Sequence, residues 1–243
     1  MEITFLGTGN AFAPGRSWAA MLVNRHILLD AGPAVLMNMK KMGFDLTDIT
    51  HIFITHFHGD HFLGLPFLFL EYNFMSKTDK PLWITGPAGI EEKARKALEL
   101  AYPDVSPRGF GRPVNFVEVH PGELLESGGV YFTVERMLHG GEYLEAFGYN
   151  IKLSDMNIAY TGDTAMCDNI YDLISDADLC VLDACTEEIS RVHLGINDLR
   201  EIVKRKKPGA RIIMSHLDKL DVIFWDDKSI FIPSDGQTFV FER

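Results

Sequence analysis

The beginning of the chain alternates between apolar and polar side chains, a pattern typical of a half-buried strand. Ile3 and Phe5 are the apolar positions, and Gly7 and Gly9 then allow a sharp loop. Two apolar runs, WAAMLV and HILLD, meet at the turn-like NRH and predict a hairpin that ends at Asp30. A strand, a loop and a hairpin are therefore expected before the first helix.

Helical and strand-like patterns continue along the rest of the chain. The spacing of AVLMNMKKMGF predicts a helix, and THIFITH predicts a buried strand that ends at His56. The apolar stretch over 62–75 predicts a buried helix. We interpret seven of its side chains as core: Phe62, Leu63, Leu65, Phe67, Leu68, Phe69 and Leu70. Further strands are expected at PLWITG, VNFVEVH, YFTVERMLH, AFGYNIKL, NIAYTGD, DLCVLDAC, ARIIMSH and TFVFER. Further helices are expected at GIEEKARKALELAY and NDLREIVKRK.

The order of these elements predicts an α/β protein. Strands come first as a mixed run and then alternate with helices in each half of the chain. With 243 residues, 47% of them hydrophobic, the chain is long enough for one large core and short for two. No tandem repeat, low-complexity segment or linker divides it, so we predict a single domain over residues 1–243.

Charge and cysteine content narrow the classes of function. The formal net charge of −11 disfavours binding to a polyanion. The three cysteines, Cys167, Cys180 and Cys185, contain no CxxC pair, and their odd number does not suit a disulfide framework. No N-terminal charged segment precedes an apolar run, and the stretch over 62–75 is too short to cross a bilayer. We therefore expect a cytoplasmic protein that binds no membrane and no long nucleic acid.

The segment HFHGDH carries the strongest chemical signal in the chain. It places His56, His58, Asp60 and His61 within six residues, although the whole chain has only nine histidines. Imidazole and carboxylate groups bind Zn²⁺ and similar divalent metals, and several must converge to hold an ion. Four candidate ligands are more than one tetrahedral ion can take from so short a segment. The pattern therefore hints at two metals.

Two metals need more ligands, and the ends of other predicted strands supply them. His139 ends VERMLH, Asp163 lies in YTGDT and His216 ends IIMSH. Each follows a strand-like run, so all three could meet the HFHGDH segment at one sheet edge. The candidate metal ligands are then His56, His58, Asp60, His61, His139, Asp163 and His216.

This ordered set, together with GTGNA near the start and DAG at 30–32, resembles the metallo-β-lactamase superfamily over almost the whole chain. The resemblance implies a four-layer αββα sandwich, with two mixed β-sheets flanked by helices and a dinuclear metal site. It implies three ligands for one metal, namely His56, His58 and His139. It implies three for the other, namely Asp60, His61 and His216, with Asp163 bridging the two ions.

Two Zn²⁺ ions are the expected cofactors, with Mn²⁺ or iron as alternatives. Two such ions about 3.5–4 Å apart hold a shared hydroxide at neutral pH and neutralise the oxyanion that forms when it attacks. Asp60 could also orient or deprotonate the attacking water, so we predict a catalytic role for Asp60 besides metal binding. The expected activity is metal-dependent hydrolysis.

Within the superfamily the chain is most similar to ribonuclease Z and related phosphodiesterases. The residues that carry this similarity are FLGTGNAFAPGR, HGGEYLEAFGYNI at His139, and VHLGINDLREI ahead of IIMSHL. In that branch a histidine at the position of His193 assists proton transfer to the leaving oxygen, so the resemblance implies that His193 is a general acid. Relatives are often dimers, and a homodimer is expected by that analogy.

One segment departs from the ribonuclease Z pattern. Bacterial ribonuclease Z carries a long tRNA-gripping arm between the positions that match His139 and Asp163, and here only 24 positions separate them. Together with the acidic charge, this departure favours a small-molecule or short nucleotide phosphodiester as the substrate. It makes processing of tRNA 3′ ends an alternative rather than the first hypothesis.

Other functions stay open at this point. A hydrolase of the same fold could act on a lactone, a thioester or an aryl sulfate, because a metal-activated hydroxide attacks all of these centres. An iron-based redox protein is a further hypothesis, although such relatives carry a Glu where His58 stands and add a flavin domain. A non-catalytic binding module would lack some of the seven ligands, and all seven are present.

Overall fold

Fourteen strands and six α-helices form in the residues that the computed structural model describes, which are 1–154, 156–185, 190–218 and 227–241. The strands are β1 (Glu2–Gly7), β2 (Ala20–Val23), β3 (Ile27–Leu29), β4 (His51–Phe53), β5 (Leu82–Gly86), β6 (Val114–Glu118), β7 (Leu124–Ser127), β8 (Val130–Arg136), β9 (Phe147–Lys152), β10 (Asn157–Tyr160), β11 (Leu179–Asp183), β12 (Arg211–Ser215), β13 (Ile230–Phe231) and β14 (Thr238–Val240). The helices are α1 (Val35–Lys41), α2 (Gly59–Phe62), α3 (Leu65–Phe74), α4 (Ile90–Ala101), α5 (Asn169–Ile174) and α6 (Ile196–Arg205).

The strands form two seven-stranded mixed sheets with matching internal order. The first sheet runs β14-β1-β2-β3-β4-β5-β6, and the second runs β13-β12-β11-β10-β9-β8-β7. In the first sheet, β3 to β6 are parallel and the strands from β14 to β3 are antiparallel. In the second sheet, β10 to β13 are parallel and β7 to β10 are antiparallel. Strands β1 to β6 thus form one sheet and β7 to β13 the other, each with antiparallel strands before parallel ones along the chain, and β14 from the end of the chain returns to pair with β1.

Three buried clusters show how the layers pack. Strand β2 is buried along its length because Met21 and Val23 pack between the sheets, while Ala20 and Leu22 pack under the helices outside the first sheet. The other outer cluster joins the second sheet to α5 and α6. Sheets covered on both faces need such continuous apolar strands. The predicted αββα arrangement, with two mixed sheets and flanking helices, is confirmed.

The apolar stretch over 62–75 differs from its prediction. Phe62 ends α2, and α3 begins only at Leu65. Gly64 lies in the break, where a Cβ would be 2.3 Å from the Gly32 carbonyl oxygen, so the close approach of these two segments requires glycine. Leu63 and Phe67 were predicted to be core but are 45% and 36% exposed. Apolar side chains lie on all sides of helix α3, so its sequence does not indicate which face packs on the sheet.

Within the described part of the chain, every helix is too short or too polar to cross a bilayer.

Polar contacts also connect the two sheets inside the apolar interior. The His51 Nε2 atom lies 2.9 Å from the Ser127 carbonyl oxygen, and the His51 Nδ1 atom lies 2.8 Å from the Thr50 hydroxyl. The neutral ring with its proton on Nε2 satisfies both contacts, as a donor to Ser127 and an acceptor from Thr50. Burial lowers the pKa of His51 below its ordinary value. The neutral ring of His51 is therefore a structural link between β4 and β7.

The pKa of His51 makes one part of the protein's stability depend on pH. Below the ordinary histidine pKa, the unfolded chain takes up a proton that the folded chain resists, so the free energy of unfolding falls as the pH drops. We expect His51→Phe to lower the free energy of unfolding by about 1–3 kcal/mol at pH 7.5, because the Ser127 carbonyl loses its donor. At pH 5.5 the gap between the two proteins should narrow.

Urea denaturation of both proteins at the two pH values measures this gap. His120→Phe is the matched control, because His120 is exposed and its replacement should leave stability nearly unchanged at either pH. A gap of the same size at pH 5.5 and pH 7.5 would contradict the assignment of His51.

Candidate metal centre

The seven predicted ligands converge at one end of the two sheets. Four follow β4, one follows β8, one follows β10 and one follows β12: His56, His58, Asp60, His61, His139, Asp163 and His216. The carboxyl ends of parallel strands meet at the same edge of a sheet, which is why side chains distant in sequence come together here. The structure thus brings all seven into two adjoining groups.

The first group contains His56, His58, His139 and Asp163. Their potential ligand atoms all lie within 4.8 Å of one another. The His139 Nε2 atom is 3.2 Å from the His58 Nδ1 atom and 3.7 Å from the Asp163 Oδ2 atom. The His56 Nε2 atom is 3.8 Å from the same carboxylate oxygen. Three imidazoles and one carboxylate therefore surround a common point.

The second group contains Asp60, His61 and His216, again with ligand atoms within 4.8 Å. The Asp60 Oδ2 atom lies 3.4 Å from the His61 Nε2 atom and 3.9 Å from the His216 Nε2 atom. The short helix α2 carries both Asp60 and His61, so its single turn presents two donors to this group.

Asp163 joins the two groups. Its Oδ1 atom lies 3.2 Å from the His216 Nε2 atom, and its Oδ2 atom lies 3.4 Å from the His61 Nε2 atom. The preceding Gly162 has a φ of 58°, and a Cβ there would lie 2.7 Å from the Thr55 Cβ atom. A side chain at 162 would push Asp163 away from the segment after β4. This carboxylate is thus within reach of an ion in either group.

The buried polar atoms of the site fit divalent cations. Among the described residues, the ligand nitrogens of His56, His61 and His216 and the Oδ1 atom of Asp163 are buried and accept or donate no hydrogen bond. Buried polar atoms are normally paired, because an unpaired one costs about 1–3 kcal/mol. Metal ions bound by these atoms would provide the missing partners, and nitrogen and oxygen donors suit zinc.

Charge and burial act in opposite directions on the carboxylates. Burial alone would raise the pKa of Asp163, but the imidazoles of His216 and His61 outweigh burial and hold this pKa well below its ordinary value. Burial also opposes ionisation of Asp60, and contacts with His216 and His61 again lower its pKa. Burial lowers the pKa of His56 well below its ordinary value. Ionised carboxylates and a neutral imidazole are the forms that bind metals.

Asp30 holds one of the candidate ligands in place. It lies directly after β3, is fully buried, and accepts hydrogen bonds from the His61 Nδ1 atom and the Tyr160 hydroxyl, each at 2.8 Å. The backbone amide and the hydroxyl of Thr55 donate to it as well, at 2.8 and 3.0 Å. The bond to Nδ1 fixes the ring of His61 so that Nε2 faces the site.

Asp183 supports the opposite side of the site. This residue ends β11, and its Oδ2 atom lies 2.8 Å from the His193 Nδ1 atom, while its Oδ1 atom lies 3.6 Å from the His216 Nδ1 atom. The backbone amides of Thr164 and Cys185 also donate to this carboxylate. Burial alone would lower the pKa of His193, but the Asp183 carboxylate outweighs burial and raises it.

His193 lies beside the ligand groups. Its ring centroid is 5.1 Å from those of His139 and His216. A cavity of about 420 Å³ opens over the site, and its lining includes His193 with His58, Asp60, His139, Asp163 and His216. The rest of the described lining is Asn10, Ala11, Phe12, Gly59, Gly140 and Val192. A small molecule in this cavity would touch both His193 and the candidate ligands.

The supporting roles of Asp30 and Asp183 were not predicted. From the sequence, Asp30 is the end of a predicted hairpin and part of the DAG match to the superfamily, and Asp183 has no predicted role. A shared signal exists, because both end a strand in the same local sequence, LLDA at 28–31 and VLDA at 181–184. Their partners are far away in sequence, as the 130 positions between Asp30 and Tyr160 show.

Comparison with known proteins connects this geometry to enzymes. The chain is 26% identical over 293 residues to "Ribonuclease Z" of Methanosarcina acetivorans, a match that covers 95% of this chain and 93% of the relative. The chain spans about half the length of the bacterial ribonuclease Z relatives that it matches, for example 55% of the one from Listeria monocytogenes.

Solved structures share the fold. Human tRNase Z, short form, superposes with a TM-score of 0.80 at 22% identity and covers 100% of both chains. A diphosphatase from the PhnP family superposes with a TM-score of 0.75 at 19% identity and covers 99% of this chain and 98% of that one.

The fold, the site and these relatives define a metal-dependent hydrolase of the metallo-β-lactamase superfamily, in its ribonuclease Z-like branch. The predicted superfamily and the predicted class of enzyme are thereby confirmed. A family model matches residues 1–222, and the chain belongs to that family, which is described as "Anti-Pycsar protein Apyc1".

Replacing Asp30 tests whether it positions His61 for metal binding. Asp30→Asn keeps the shape of the side chain but removes one acceptor oxygen and the charge that holds the imidazole. We expect the affinity for zinc to fall about 10–100-fold, the range found when partners of metal-binding histidines are removed. Competition with a chromogenic chelator measures this affinity.

Tyr160→Phe is the matched control, because it removes one donor to Asp30 and leaves the contact with His61 in place. Its zinc affinity should stay within a few-fold of that of the unchanged protein. Equal zinc affinities for Asp30→Asn and the unchanged protein would refute the positioning role.

Proposed function

We propose that this protein is a phosphodiesterase that acts on small or nucleotide-type phosphodiesters with two Zn²⁺ ions. The observation that carries the proposal is the Asp183–His193 pair, because its histidine lines the same cavity as five of the seven candidate ligands. Metal ligands alone suit many hydrolases, whereas a supported histidine beside them adds a proton donor for an oxygen leaving group.

The residues proposed to hold the two ions fall into the groups described above. His56, His58 and His139 would bind one ion, Asp60, His61 and His216 the other, and Asp163 both. When bound, such ions activate water at neutral pH and neutralise charge on a phosphoryl group. Zinc suits the mixture of imidazole and carboxylate donors, and Mn²⁺ or iron remain alternatives for the same set.

Asp60 and His193 are proposed to transfer different protons. Asp60 would take one from the attacking water, and His193 would give one to the leaving oxygen. The Asp60 carboxylate lines the cavity, where it would orient the attacking water and accept its proton. Because the His193 Nδ1 atom is bonded to Asp183, its Nε2 atom is the nitrogen free to donate a proton. That proton would pass to the leaving oxygen as the bond from phosphorus to oxygen breaks, so that the departing alcohol leaves uncharged.

The surroundings of the site favour a small substrate. None of the described residues that line the cavity is a lysine or an arginine, and binding of long RNA depends on such contacts with phosphates. A volume of about 420 Å³ is in the usual range for small-molecule sites.

The archaeal ribonuclease Z contains segments that this chain lacks, because the alignment between them spans 293 positions and this chain has 243 residues.

Cleavage of tRNA is the second candidate, because the matched relatives carry the name ribonuclease Z. Turnover of a precursor tRNA at a rate comparable to that of small phosphodiesters would favour this candidate. Hydrolysis of a lactone, a thioester or an aryl sulfate is the third.

A panel of substrates tests the proposal. We expect metal-replete protein to hydrolyse bis(p-nitrophenyl) phosphate and to show much lower activity on p-nitrophenyl sulfate, a lactone and a thioester. Removal of metal with a chelator should abolish the activity, and Zn²⁺ or Mn²⁺ should restore it. Absence of phosphodiester turnover by metal-replete protein, with turnover of another substrate, would overturn the proposal.

The role of His193 predicts a dependence on the leaving group. A good leaving group such as p-nitrophenolate departs without protonation, whereas a ribose alkoxide needs a proton. His193→Ala should therefore lower kcat about 10²–10⁴-fold for a dinucleotide and far less for bis(p-nitrophenyl) phosphate.

Metal content, measured by elemental analysis, should be the same in His193→Ala and the unchanged protein. His120→Ala is the matched control, because His120 is exposed and outside the cavity lining, and it should leave both activities unchanged. An equal loss of activity on both substrates would exclude the proton-donor role.

A further inference from the structure

Phe12 is an exposed aromatic side chain at the edge of the proposed active site. It is 88% exposed, although phenylalanine is usually buried, and it is part of the cavity lining that also contains Asp60 and His193. The roles proposed above for metal binding and proton transfer do not involve it. What distinguishes Phe12 from the other exposed apolar side chains discussed above is its place in the lining of this cavity, where a bound ligand would contact it.

The turn that carries Phe12 is fixed to the site. Asn10 is nearly buried, and its Oδ1 atom accepts a hydrogen bond from the Phe12 backbone amide at 2.8 Å. The Asn10 side chain donates to the Cys185 Sγ atom, and its backbone amide donates to the Leu217 carbonyl at 3.0 Å. Leu217 directly follows the candidate ligand His216, so the turn is hydrogen-bonded to the segment that carries this ligand.

The other end of the same loop is anchored as well. The backbone amide and the hydroxyl of Thr8 donate to Asp235 at 2.9 and 2.7 Å. The Ser17 backbone amide also donates to Asp235, and the Gly9 amide donates to the Ser17 carbonyl at 2.8 Å. A loop held at both ends presents Phe12 with little conformational freedom to lose, which favours binding.

The other residues of the cavity lining indicate which kind of group would cover the Phe12 ring. The same lining contains Ala11, Gly140 and Val192, and none of its described residues is a lysine or an arginine. These residues suit a flat uncharged group rather than a second phosphate. Nucleobases are such groups, and they stack on aromatic side chains in many proteins.

We propose that Phe12 stacks on the nucleobase of the substrate, so that the enzyme prefers a phosphodiester that carries a base. This inference rests on the proposed phosphodiesterase function. Phe12 would be a binding residue with no part in the bond-breaking step. Because every base has an aromatic face, stacking alone would accept pyrimidines and purines alike.

Two esters with the same leaving group test the proposal. One is the p-nitrophenyl ester of thymidine 5′-monophosphate, and the other is methyl p-nitrophenyl phosphate, which has no base. The measured quantity is the ratio of kcat/KM for the nucleotide ester to kcat/KM for the methyl ester. Phe12→Leu, which keeps an apolar side chain, should lower this ratio about tenfold. The change should appear mainly in KM.

Two further variants make the test specific. Phe12→Trp keeps an aromatic face and should retain the ratio or raise it. Leu100→Ala removes an equally exposed apolar side chain on α4, outside the cavity lining, and should leave the ratio unchanged. An unchanged ratio in Phe12→Leu, or the same fall in Phe12→Trp, would overturn the role of Phe12.

Calorimetric titration separates this inference from the proposed function. Thymidine 5′-monophosphate should bind the unchanged protein more tightly than methyl phosphate does, and Phe12→Leu should reduce this difference about tenfold. If neither ester is hydrolysed, the phosphodiesterase function fails, and the titration still tests stacking. If both are hydrolysed and the titration shows no difference between the proteins, only the stacking proposal fails.

Discussion

The buried carboxylate of Asp30 is the contact on which the candidate site depends. A charged group inside a protein costs several kcal/mol unless hydrogen bonds satisfy it. Here Thr55 donates from the segment after β4, His61 donates from α2, and Tyr160 donates from the second sheet. The same carboxylate therefore joins the two sheets and aims a candidate ligand. Because these contacts share one acceptor, the register of the sheets and the orientation of His61 cannot be set independently.

The second half of the chain contains an equivalent buried aspartate, Asp183. Asp183 is the last residue of β11 and Asp30 directly follows β3, each lies in an LDA sequence, and each of these strands has a parallel neighbour in its own sheet. One carboxylate supports His61, and the other supports His193 beside His216. The two sheets thus approach the metal centre with equivalent supports from opposite sides. Only Asp183 holds a histidine that is proposed to donate a proton. The two supports therefore differ at the residue proposed to protonate the leaving oxygen.

The sequence predicts the convergence of the candidate ligands better than the packing around them. The order of HFHGDH, His139, Asp163 and His216 reflects local strand ends, and the fold class follows from the resemblance that this order supports. The contacts of Asp30 and Asp183 join residues that are distant in sequence. Neither the periodicity of hydrophobic residues nor the spacing of motifs predicts such contacts. The exposure of Leu63 and Phe67 was missed for a related reason, since an apolar helix does not reveal its packed face. Strand β7 and helix α5 were not predicted, because both are short and their sequences lack a clear period.

Strain and unpaired polar atoms concentrate at the candidate metal centre. His216 has a φ of 59°, a left-handed conformation that costs a residue other than glycine about 1–2 kcal/mol. Both of its ring nitrogens, and the Nε2 atoms of His56 and His61, find no hydrogen-bond partner among the described residues. Such features persist only where the surrounding structure enforces them. Cation binding would satisfy these atoms and would stabilise the folded chain by mass action. The supports at Asp30 and Asp183 hold the donors in place, and the metals would pair the unsatisfied ligand atoms while adding positive charge to a lining whose described residues include no lysine or arginine.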